Sequence, residues 1–175
     1  MPPIVHGFDW PERLVVGTVG RPGERAFYLQ ARDGRRVTSV ALEKEQSAVL
    51  ADKVAELLDE VATVEDNRFS VPTAAPTELR DAAPLDQPVE PEFRAGALSL
   101  GFDPATAQVV IEAYPIEEDL EILTETDEDG DEVETVVEIP EPAEVFQVKI
   151  PVGSARAFVE RTREVIAAGR RPGDA

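Results

Sequence analysis

Cysteine is absent from this chain of 175 residues. That excludes a disulfide framework, a thiol nucleophile and any Cys-ligated zinc or redox centre within the sequence given. Histidine occurs once, at His6, so a His-Glu helix pair of the metalloprotease kind cannot be assembled. Apolar runs of about 18 residues, the length a membrane-spanning helix needs, do not occur. The opening "MPPIVHGFDW" has neither the charged nor the apolar region of a secretory signal. A cytoplasmic protein with no membrane association is therefore expected. Basic residues are scarce as well: 17 Lys and Arg stand against 36 Asp and Glu, a formal charge of −19. Nucleic-acid binding is excluded on that ground, because each phosphate contact needs a cation and the summed field repels a polyanion. The charge suits a basic protein partner. Phosphate-cradling glycine loops and nucleophile elbows are missing too, since "GTVGRPGE" runs into a strand pattern instead of a helix.

What remains is ample for a core. Hydrophobic residues make up 42% of the chain, and a chain of this length buries roughly 70% of its unfolded surface. "RLVVGTVG" (Arg13 to Gly20), "ERAFYLQA" (Glu24 to Ala31) and "RRVTSVAL" (Arg35 to Leu42) are β-branched or aromatic runs. The turn signals "RPGE" and "RDGR" separate them, which predicts an antiparallel meander. Leu50, Val54, Leu57, Leu58, Val61 and Val64 then recur at helical spacing from about Glu43. Residues 66–91 hold Pro72, Pro76, Pro84, Pro88 and Pro91 with little periodicity, and read as a linker or an irregular connection with some local helix around Thr77 to Ala83.

A second series then begins. "FRAGALSLGFD", "AQVVIEAYPI" and "VFQVKIP" read as strands and "GSARAFVERTREVIAAG" as a helix, with Ser154 as N-cap and Gly169 as C-cap. "VTSVALEKEQSAVLADKVAELL" aligns without gaps on "VFQVKIPVGSARAFVERTREVI", and "RPGERAFYLQA" on "DPATAQVVIEA" with a different offset. The predicted class is α+β: two similar antiparallel three-strand-plus-helix units, an internal duplication with pseudo-twofold packing. The first covers residues 1–65 and the second 92–169, in one compact globule with a tail at 170–175. The offsets place an acidic insert, residues 115–141, between the second and third strands of the second unit.

Within the insert, Asp127, Asp129, Asp131 and Glu138 have the spacing of a calcium loop. Glu132 stands where that loop requires glycine, and the flanks alternate as strands. The expectation is a hairpin turning at Asp129-Gly130, with Leu123 facing Val136, Glu125 facing Glu134 and Asp127 facing Glu132. Facing acids repel, so Glu125, Asp127, Asp129, Asp131, Glu132 and Glu134 are read as an acidic docking element and no metal is assigned. The aromatics Phe27, Tyr28, Phe69, Phe93, Phe102, Phe146 and Phe158 are expected in the core.

The segment "VHGFDWPERLVVGTVGRPGERAFYLQARDGRRVTSVALEKEQSAVLADKVAELLDEV" resembles the actinobacterial domain of unknown function 3090 family, and the closing "QVKIPVGSARAFVERTREVIAAGR" does so less closely. The resemblance implies an uncharacterised cytoplasmic protein encoded near kinase-like and phosphatase-like proteins, with no stated chemistry. Members continue into a Cys-rich, zinc-ribbon-like tail with no counterpart in "RPGDA", so zinc transfers to no position and no cofactor is expected.

The leading functional expectation is a non-enzymatic adaptor or regulator working with such partners. The alternative is a phosphate-ester or small-molecule enzyme in which His6, beside Asp9, moves a proton while Arg25, Arg32 and Arg36 hold the anion. Geometry separates the two: His6 bonded to Asp9, or sharing a concave pocket with two of the arginines, would favour the enzyme.

Overall fold

The computed structural model describes residues 3–116, 122–136 and 143–168. Its order is β1 (Ile4–Asp9), β2 (Arg13–Val19), β3 (Ala26–Asp33), β4 (Arg36–Leu42), α1 (Lys44–Ala62), one 3₁₀ turn (Thr77–Leu79), β5 (Pro91–Asp103), β6 (Gln108–Pro115), β7 (Ile122–Thr126), β8 (Glu132–Val136), β9 (Glu144–Pro151) and α2 (Val152–Ala168). The fold is α+β: a mixed seven-stranded sheet ordered β1-β9-β6-β5-β4-β3-β2, two helices, and a separate β7-β8 ribbon.

Two meanders, β2-β3-β4 and β5-β6-β9, lie edge to edge. Each is followed by a helix, but neither helix keeps to its own meander: α1 lies against β3 and β5, α2 against β2, β6 and β9, and the helices also pack on each other. The contact between meanders is parallel, β4 on β5 through Ser39–Pro91 and Ala41–Arg94. The last strand of the first unit therefore meets the first strand of the second, so the two units follow one another along the sheet. The acidic ribbon does fall between the second and third strands of the second meander. Residues 4–9 form β1, which adds in parallel to β9 from Ile4–Glu144 to Asp9–Lys149.

β1 and β2 occupy opposite margins of the sheet, yet only Trp10, Pro11 and Glu12 join them. Four Cα–Cα steps span at most about 14 Å, whereas six interstrand spacings in a flat sheet would span about 29 Å. The sheet must curl until its margins approach. Arg36, at the start of β4, confirms the approach: its guanidinium lies 4.0 Å from the centre of the Phe8 ring and donates to the Gly7 carbonyl on β1.

The concave side is filled by Phe8, Val16, Leu29, Val40, Ile111, Phe146, Val148 and Ile150 from the strands, together with Leu50, Val54, Leu58, Phe158 and Val159 from the helices. Of the predicted stripe on α1, Leu50, Val54, Leu58 and Val61 are buried, while Val64 lies past the helix end and is exposed. α2 starts at Val152, directly after β9, so Ser154 sits inside the first turn instead of capping it. Gly169 and the tail lie outside the described residues.

Residues 63–90 are a strap, not a loose linker. Val71, Ala75 and Leu85 are buried along it. The backbone N–H of Ala75 donates to Glu160, Pro72 accepts from Arg156 Nε at 2.9 Å, and the amide of Gln30 exchanges bonds with both backbone groups of Asp86, at 2.8 and 3.1 Å. Polar backbone that lacks strand or helix partners is thus satisfied by side chains, which is what lets an irregular segment lie against a core.

Candidate functional site

The enzyme alternative needs Arg25, Arg32 and Arg36 to gather round His6, and only Arg36 comes near its strand, on Gly7 and Phe8. Arg13 is buried and reaches the strap, with Nε to Asp81 Oδ2 at 2.7 Å, Nη2 to Asp81 Oδ1 at 3.1 Å and Nη1 to Asp86 Oδ2 at 3.0 Å. Arg32 takes the other oxygen of Asp86 at 2.9 Å. Arg161 of α2 donates to the Val16 carbonyl on the free margin of β2 and to Asp81. Burial alone would raise the pKa of Asp81, but the hydrogen bond from Arg13, the N–H of Ala83 and two nearby guanidinium charges hold it below its ordinary value. Burial and the like charge of Arg13 push Arg161 down, and the two aspartates push Arg13 up against its own burial. This network closes the β2 margin and fixes the strap. Its guanidinium groups are already engaged by carboxylates and backbone carbonyls of the strap and β2.

Arg25 lies at a different place, in a cleft of about 510 Å³. The cleft forms where β4 ends and α1 begins, at the carboxyl end of a strand in a β4-α1-β5 crossover, which is where open α/β sheets commonly receive ligands. Arg25, Tyr28, Lys44 and Arg94 line it with Glu24, Glu43 and Glu45. Arg94 bonds Glu43 at 2.6 Å. The Nε of Arg25 is buried without an acceptor among the described residues. Equal numbers of cations and acids leave this cleft without the net positive charge a phosphate would need.

His6 meets neither Asp9 nor an arginine. Alternation along β1 puts Asp9 on the other face, where it accepts from Gln108 Nε2 at 2.9 Å. The imidazole instead bonds Glu144, Nε2 to Oε2 at 3.0 Å, on the neighbouring strand. Glu92, at the start of β5, completes a group whose ligand atoms all lie within 4.8 Å of one another. Phe93 flanks the imidazole at 6.4 Å between ring centres. Spacing in the sequence could not reveal this group, because His6 and Glu144 are separated by 138 positions.

The acidic ribbon is a hairpin with a different turn from the one expected. Thr126 pairs Glu132, Glu125 pairs Val133 and Thr124 pairs Glu134, a shift of one residue. The cause is Asp127, whose Oδ1 accepts from the backbone N–H of Asp129 and of Asp131 at 3.0 and 2.8 Å. That locks a three-residue loop, Glu128 to Gly130, with Gly130 in the left-handed region at φ 84°. The shift places threonines opposite Glu132 and Glu134, which removes both of the expected facing acid pairs. Glu138 lies outside the described residues.

The class these features define is an acidic α+β protein built on one curled mixed sheet, with a strapped margin, an open margin and a projecting acidic ribbon. Among the described residues no helix is long and apolar enough to cross a membrane. The chain belongs to the family described as "Protein of unknown function (DUF3090)", whose model matches residues 6–174. No curated protein and no solved structure matches it.

Proposed function

We propose that this protein is a non-enzymatic interaction module, an adaptor or regulator that docks on a protein with a basic surface. The observation that carries the reading is Trp10, the only tryptophan of the chain. It is 63% exposed and adopts φ 57°, a conformation that costs a bulky residue energy and is retained where structure or function demands it. Large exposed aromatic anchors are enriched among the centres of binding energy between proteins. Ile4 and Val5, 63% and 55% exposed, form a second apolar patch about 20 Å away at the other end of β1. The acidic ribbon supports the same partner class, because its chain returns beside that second patch: the N–H of Ile4 donates to the carbonyl of Ala143 at 2.9 Å. The family resemblance points to kinase-like or phosphatase-like proteins as the first candidates. The enzyme alternative draws no support from the geometry, since His6, Asp9, Arg25, Arg32 and Arg36 do not converge.

Capture from the native organism should be run with the parent, with Trp10→Ala, and with residues 117–141 replaced by a short Gly-Ser link. Basic kinase-like or phosphatase-like proteins retained by the parent and lost from both variants are the expected result. An unchanged set of captured proteins ends the proposal.

A further inference from the structure

We propose that His6, Glu92 and Glu144 bind one divalent ion of the zinc or manganese class. The three residues come from β1, β5 and β9, strands whose order in the sheet does not make all of them neighbours, and the curled sheet brings their ligand atoms within 4.8 Å of one another. One pair is already at ligand separation, His6 Nε2 to Glu144 Oε2 at 3.0 Å. A four-coordinate ion with ligands at about 2.1 Å sets them about 3.4 Å apart. The required contraction is therefore roughly 1.4 Å at most. Glu92 is exposed and can supply it by side-chain rotation alone.

Charge favours the same occupant. Neither Glu92 nor Glu144 bonds a lysine or arginine among the described residues, although arginines elsewhere in the molecule pair closely with acids. Two carboxylates held this close repel until a cation lies between them. The surrounding chain, at −19, concentrates cations at its surface. One imidazole nitrogen and two carboxylate oxygens form a mixed donor set. Calcium and magnesium prefer all-oxygen shells, whereas zinc, manganese and ferrous iron accept both donor types. Phe93 gives the imidazole an apolar neighbour on one side, at 6.4 Å between ring centres. Three protein ligands leave a fourth position for water or for a partner's side chain.

The test is calorimetric titration of the full chain with zinc chloride and, separately, manganese chloride at neutral pH. His6→Gln, Glu92→Gln, Glu144→Gln and a ribbon variant, Asp127→Asn with Asp129→Asn and Asp131→Asn, are run beside the parent. One saturable site is expected, weakened at least about tenfold by each of the three single changes and untouched by the ribbon variant. Proton and nitrogen spectra of the parent add a readout that does not depend on variants folding, because His6 is the only histidine and its imidazole resonances must move with metal. Static imidazole resonances, or binding lost with the ribbon variant alone, overturn the site. A Glu92→Gln protein that binds as tightly as the parent overturns the three-residue assignment.

Discussion

Both carboxylate oxygens of Asp81 accept from Arg13, a residue 68 positions earlier, at 2.7 and 3.1 Å. The same carboxylate also faces Arg161 at 3.3 Å. Replacing Asp81 by Ala leaves the buried Arg161 without a carboxylate and Arg13 with Asp86 alone. Breaking such a pair from one side costs more than the pair contributes, because a charge is left buried and unpaired. A loss of about 2–4 kcal/mol in urea unfolding is expected. A loss under about 1 kcal/mol would show that water replaces the aspartate without penalty.

Acid should act through the same residue. Asp81 is held ionised below its ordinary value in the folded chain, so the unfolded chain binds more protons as pH falls. Its contribution is therefore complete above the ordinary aspartate pKa and disappears as pH drops through the lowered native one. Thermal unfolding followed from pH 6 down to about 3 should fall more steeply for the parent than for Asp81→Asn. Parallel curves would assign acid sensitivity to other carboxylates.

Gly17 lies beneath the strap. A methyl group added there would stand 2.5 Å from two carbons of Leu85, which is buried. Gly17→Ala should destabilise by about 1–3 kcal/mol through overpacking. Leu85→Ala alone should also destabilise, by leaving a cavity. The double variant should be more stable than the sum of the two losses predicts, by a double-mutant cycle in urea. Strict additivity would mean that the strap lifts away at this point.

The acidic ribbon forms its own two-stranded sheet and shares no ladder with the seven strands. Replacing residues 117–141 by a short Gly-Ser link should leave the melting temperature within about 3 °C of the parent, the shift that roughly 1 kcal/mol produces in a domain of this size. A larger drop in differential scanning calorimetry would show that the ribbon braces the core.

The elements legible from sequence are those whose signals are local. "RPGE" and "RDGR" marked the turns of the first meander, the spacing of Leu50, Val54 and Leu58 marked α1, and the two alignment offsets located the ribbon. Features decided by distant residues were not legible. β1 is joined to β9 across most of the chain, and no periodicity records that pairing. The strap reads as a proline-rich linker because its order comes from Arg13, Gln30, Arg156 and Arg161, none of which lies within it. His6 was noticed as the sole histidine, but its partners Glu92 and Glu144 carry no spacing signal. The ribbon register was missed by one residue because the Asp127 side chain, by taking two backbone N–H groups, favours a three-residue loop over the two-residue turn that Asp-Gly suggests.

Trp10, Pro11 and Glu12 span from one margin of the sheet to the other, which gives them a mechanical role apart from any partner. They act as the clasp of a hoop. A circular permutant opened at Trp10 would keep every rung of the ladder and lose only the tie that holds the hoop shut. Arg36, stacked on Phe8 and bonded to Gly7, and Arg161 of α2, bonded to Val16, would then be the remaining catches, and the curvature of the permutant would report how much of the closing tension the clasp carries.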